Sequence, residues 1–200
     1  MLLWIPQSSC VRQSQPERVL QVDARDLRLL QPGDVVFISV PTAFWAVLAS
    51  NWSLPEYRHG HVGMVSRAGP GRLAVVHASG NPTLANAKVI AVPLAEFVEG
   101  ASRVDIFRPT RKSAALGSAA AADGFARAHL AFDSDFSLAT PRSLYCSELV
   151  WRALSAGFGQ DILPRKSRVA GRDAILLRDL ESSRYLRLVE TVTARARPRH

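Results

Sequence analysis

The residues in this sequence best suited to chemistry are one cysteine and two histidines. Cys146 opens the run Cys146-Ser147-Glu148, and Leu149, Val150, Ala153 and Leu154 follow at helical spacing with Trp151 beside them. The cysteine therefore falls in or just before the first turn of a helix. There the unpaired backbone N–H groups and the positive end of the helix dipole favour a thiolate over a thiol, which makes Cys146 the candidate nucleophile. A base must come from elsewhere, and the five histidines stand at 59, 61, 77, 129 and 200. His61 opens the apolar run to Val65, His77 closes the run from Leu73, and both runs read as strands. The segment Arg67-Ala-Gly-Pro-Gly-Arg72 between them is rich in turn formers, which predicts an antiparallel hairpin. Such pairing sets His61 and His77, 16 positions apart, side by side near the open end of the hairpin. Nucleophile, base and a residue orienting the base form a triad recognised by roles, not by chain order.

Four short segments, in this order, carry a family resemblance: Gly33-Asp34-Val35-Val36-Phe37, His61-Val62-Gly63-Met64-Val65, Val76-His77-Ala78 and Tyr145-Cys146-Ser147-Glu148-Leu149-Val150. Over roughly Leu30 to Phe158 the chain resembles the circularly permuted branch of the NlpC-like papain-fold hydrolases. That branch includes YiiX-like bacterial proteins and, more distantly, lecithin:retinol acyltransferase. In it the histidine strand precedes the cysteine helix, as here. The resemblance implies an α+β permuted papain-like fold, with a mostly antiparallel sheet of about five strands packed on the cysteine helix and an Ala-rich helix. It also implies roles: Cys146 as nucleophile, His61 as general base and His77 as third, polar member, the loosest position in the family. The expected reaction is cleavage of an amide in a cell-wall peptide, an isopeptide or a lipid amide, through an acyl-enzyme and without a cofactor. The thiol and imidazole are expected to exchange a proton before substrate binds, so their acid and base values belong to the pair. A lipid acyltransferase or thioesterase of the same fold is the runner-up. A catalytically silent module binding a lipid or a partner comes from a different class, and an α+β domain with Cys146 as a buried core thiol is the plainest alternative.

Other residues near the presumed site carry two readings each. Tyr145 either offers its hydroxyl to the reacting carbonyl or packs; backbone N–H groups around Cys146 would meet the oxyanion. The segment from Pro41 to Ser50 reads as an apolar helix, and Trp45 and Trp52 are either core or one wall of a substrate pocket. Asp34 reads as turn chemistry, His59 as a loop residue, and Glu148 as a first-turn charge suited to the dipole. His129 reads as the end of the Ala-rich helix predicted over 111–130.

The elements that must position these residues suit one domain. Two hundred residues, 48% hydrophobic and 21% charged, can bury a sizeable core. We expect an extension over 1–29, a domain over 30–192 and a basic tail over 193–200. Further strands are predicted over 35–40, 88–92 and 104–109, with an edge strand over 185–189. The formal charge of +8 is mostly arginine, since lysine occurs only at 88, 112 and 166. Such charge leaves peripheral contact with anionic membrane open, while nucleic acid is not expected, for want of any zinc-finger spacing or RNA-binding aromatic motif. Cys10 and Cys146 are read as free thiols, and neither has metal-ligand spacing. Met1 to Pro6 is too short for a signal peptide's apolar core or a membrane span. The expected location is cytoplasmic as given, or exported or lipid-anchored if the true start lies upstream. The oligomeric state is not legible.

Overall fold

The structure, a computed structural model, describes residues 22–39, 59–79 and 87–194. The helix expected from Pro41, the wall residues Trp45 and Trp52, and Cys10 lie outside these residues.

Apolar runs build the sheet. Strands β1 (Val35–Ser39), β2 (His61–Gly69), β3 (Arg72–Ser79), β4 (Lys88–Pro93) and β5 (Arg103–Pro109) form where the sequence predicts them. The edge strand expected over 185–189 forms as β10 (Leu186–Thr193), and two strands of two residues join, β6 (Ala131–Phe132) and β7 (Ser143–Leu144). Among the described residues the sheet thus has eight strands, ordered β10-β5-β1-β2-β3-β4-β6-β7, not about five. The short strands were not predicted because two residues carry no alternation to read. All pairings are antiparallel except β6 with β7. Strands β8 (Ser167–Val169) and β9 (Arg172–Ala174) form a separate hairpin.

The central strands read as near-continuous apolar stretches because both sheet faces are covered. On one face Val35, Phe37, Val62, Met64 and Val76 pack with Leu149, Val150, Ala153 and Leu154. On the other, Val36, Ile38, Val65, Val75 and Ile106 pack with Phe97 and Val98. Phe97 ends the short helix α1 (Leu94–Phe97). The first face is covered by α2 (Lys112–Arg127), the Ala-rich helix, and α3 (Cys146–Phe158), the cysteine helix. These two helices touch at glycine: a Cβ on Gly157 would lie 2.2 Å from Ser118 Oγ and 2.4 Å from Ala114 O. A last short helix, α4 (Leu177–Glu181), precedes β10. Ahead of β1 the chain makes a 3-10 turn at Ala24–Asp26.

Candidate active site

The hairpin of β2 and β3 is paired from Gly69/Arg72 as far as Met64/Val76 and no further. Beyond that point β2 stays with β1 up to His61, and β3 stays with β4 through Ser79. The sheet therefore forks at the open end of the hairpin. His61 Nε2 lies 2.9 Å from His77 Nδ1, with the rings nearly perpendicular at 80° and 5.1 Å apart. Phe97 packs against both, at 5.5 Å from His61 and 5.2 Å from His77. That contact needs Gly63: a Cβ there would come within 2.4 Å of Val75 Cγ1 and 3.1 Å of the Phe97 ring. The glycine following His61-Val62 is thus a packing requirement of the histidine pair.

Cys146 reaches the same fork from the helix side. It is the first residue of α3, and its Sγ faces the backbone N–H groups of Ser147, of Val62 and of Cys146 itself. Val62 N–H is left without a β3 partner by the fork, and Val62 adjoins His61 in the chain. The start of α3 is held by two bonds to one residue. Tyr145 Oη accepts from Ile175 N–H at 2.8 Å, and Ser147 Oγ donates to Ile175 O at 2.7 Å. Tyr145 is buried against Phe136, so its hydroxyl anchors the segment before α4. Sequence reasoning did not single out Ile175, and the only signal was the polar flank of the cysteine in Tyr145 and Ser147.

Burial governs the charge state. It pushes the Cys146 thiol up to about 11, and the surrounding N–H groups offset only part of this. It also pulls His77 down to about 4, while His61 is held well below its usual value by burial and by the proximity of His77. At neutral pH the resting site thus holds a thiol and two neutral imidazoles, not the pre-formed thiolate expected of a helix N-terminus. Desolvation outweighs the dipole because the thiol is only 6% exposed. Glu148 is fully buried, paired with Arg152 at 2.8 Å, and burial raises its carboxyl to about 7. The first-turn charge expected there is therefore half-protonated near neutrality.

The remaining residues take structural places. Asp34 closes its turn by accepting from Gln31 N–H at 2.8 Å and grips Arg108 with both oxygens. His59 is a loop residue just before β2, as read, but a buried one: it is 2% exposed, with Asp105 3.0 Å from Nε2 and Glu181 2.8 Å from Nδ1. His129 follows α2 in the left-handed region, at φ 49°. Among the described residues no group of three or more His, Cys, Asp or Glu is arranged to hold a metal.

A cysteine heading a helix behind a sheet that carries the histidines earlier in the chain defines a papain-like fold in permuted order. The chain belongs to the family of permuted papain-like amidases of YaeF and YiiX, whose profile matches residues 29–167. A solved relative, described as the metalloprotein YiiX from Escherichia coli O157:H7, superposes with a TM-score of 0.62 at 15% identity, covering 82% of this chain and 98% of that one. No curated protein matches the chain in sequence.

Proposed function

We propose that the chain is a cysteine amidase in which Cys146 attacks the carbonyl, His61 carries the proton and His77 orients His61. The observation that carries this reading is the fork: the thiol sits against Val62 N–H, next in the chain to a histidine whose Nε2 is bonded to a second histidine. The bond fixes the tautomers needed. For His61 to take the thiol proton on Nδ1, its Nε2 must carry hydrogen and donate to His77 Nδ1. His77 then holds its own proton on Nε2. Because the resting thiol is neutral, proton transfer from Sγ to His61 accompanies attack on the substrate carbon and does not precede it.

The tetrahedral oxyanion is met by backbone N–H groups at the head of α3. His61 returns its proton to the leaving amine, and the C–N bond breaks to give a thioester on Cys146. Water, deprotonated by His61, then attacks that thioester, releasing the carboxylic acid and the thiol. The substrate class is an amide of a cell-wall peptide, an isopeptide or a lipid. The test is intact-mass detection of an acyl-enzyme from a peptide p-nitroanilide and from an N-acyl lipid amide. An adduct on the wild type that is lost in Cys146→Ala and slowed in His61→Ala supports the amidase, and the faster substrate names the class. No adduct from either, with the variants indistinguishable from wild type, leaves a binding module.

A further inference from the structure

The end of β2 away from His61 carries a second polar site. Six residues along the strand, about 20 Å at the rise of a strand, Arg67 stands with Arg108, Lys112 and Arg187 around a cleft of about 440 Å³. These four cations are not equivalent. The Arg108 guanidinium is neutralised by Asp34, through Nε at 2.7 Å and an Nη at 2.8 Å, and also donates to Leu29 O at 2.6 Å. Arg67, Lys112 and Arg187 have no acidic partner among the described residues. Arg187 stands directly across the β5/β10 ladder from Arg108, a like-charge placement that an anion between them relieves. Lys112 opens α2, whose first turn has neither a side-chain cap nor an acidic residue, so its N–H groups add positive potential.

Apolar residues gather at the same place. Leu29, Leu116 and Leu188 are the exposed large hydrophobic residues of the described chain, each about half exposed. Leu116 lines the cleft and Leu29 supplies the carbonyl that Arg108 binds, whereas Leu188, opposite Phe107, turns by strand alternation to the other face of the sheet from Arg187. A soluble phosphate would use the cations and leave the leucines without purpose. Unpaired cations beside exposed leucines match a membrane interface, where phosphates lie just above apolar chains.

We propose that this cleft docks the protein on a membrane leaflet containing anionic phospholipid. Arg67, Lys112 and Arg187 hold headgroup phosphate, and Leu29 and Leu116 enter the interfacial layer. Docking there holds the fork at the far end of β2, away from the bilayer, and it stands whether or not the amidase reading does.

The test is co-sedimentation of the full chain with vesicles of phosphatidylglycerol in phosphatidylcholine, and of phosphatidylcholine alone. The variants are Arg67→Glu/Lys112→Glu/Arg187→Glu, Leu116→Ser, and a control of equal charge change, Arg127→Glu/Arg142→Glu/Arg165→Glu, with folding checked by circular dichroism. Expected is salt-sensitive binding to the anionic vesicles only, weakened at least tenfold by the cleft triple and severalfold by Leu116→Ser, with the control triple within threefold of wild type. Equal loss in both triples would mean diffuse attraction from the net charge and overturn the site. Failure of the wild type to bind anionic vesicles overturns the docking as well, including the case where inorganic phosphate alone binds at the cleft.

Discussion

At the scale of single residues the site is governed by desolvation. A thiol raised to about 11 beside imidazoles held neutral has little thiolate at pH 7. Alkylation of Cys146 by iodoacetamide in the free protein is therefore expected to keep rising above the ordinary thiol value of about 8.5. A plateau reached below pH 7 would show a resting ion pair and refute the neutral pair. Acyl transfer should behave differently, because it needs only neutral His61. Its rate is expected to fall on the acid side, at pH values below 6.5, where histidine protonation competes. His77 is testable through the bond it accepts. His77→Phe removes the acceptor for His61 Nε2–H, which becomes charged in the reaction, and loss of such a bond corresponds to roughly 10–100-fold in kcat. His77→Gln, which keeps an acceptor, should recover part of that loss with KM little changed. Equal rates for Phe and Gln would assign His77 to packing against Phe97 alone.

At the scale of elements, two glycines in the helix pair make opposite predictions. In α2 a Cβ on Gly124 meets nothing within 4 Å, whereas in α3 a Cβ on Gly157 would strike Ala114 O and Ser118 Oγ. Gly124→Ala should stabilise by up to about 1 kcal/mol through helix propensity. Gly157→Ala should destabilise by roughly 1–3 kcal/mol, since α2 and α3 must part. At about 2–4 °C per kcal/mol for a chain of this size, thermal melts resolve both. Equal shifts for the two would mean that the helices do not meet at Gly157. The same elements show what was legible in the sequence. Helical spacing after Cys146 and the turn-rich Arg67–Arg72 segment were read directly, because each is a local pattern within one stretch of chain. The fork was not legible, because it arises where β2 and β3 leave each other for β1 and β4, a matter of pairing partners. Nor was the burial of His59, whose partners Asp105 and Glu181 come from β5 and α4, far along the chain.

For the whole molecule, the buried titratable groups oppose one another in their effect on stability. His77 titrates at about 4 in the folded chain against 6.5 unfolded, and His61 is also lowered well below 6.5. In that window the unfolded chain binds the protons, so each histidine adds stability as pH rises, at about 1.4 kcal/mol per pH unit as an upper bound. Glu148 has the opposite sign. Its folded value near 7 exceeds the unfolded 4.5, so the native state holds the proton and stability falls as pH rises between those values. From about pH 4.5 to 6.5 the wild type should thus gain at most about 1.4 kcal/mol per unit, two histidines against one carboxyl. Glu148→Gln keeps the shape, removes the opposing group and should steepen the slope toward about 2.7 kcal/mol per unit. Any loss of the Arg152 bond shifts the absolute stability without altering that slope. Urea unfolding at half-unit steps from pH 4.5 to 6.5 measures it. Parallel wild-type and Glu148→Gln curves would mean that Glu148 is ionised in the folded chain throughout, and that Arg152 outweighs the burial of its carboxyl.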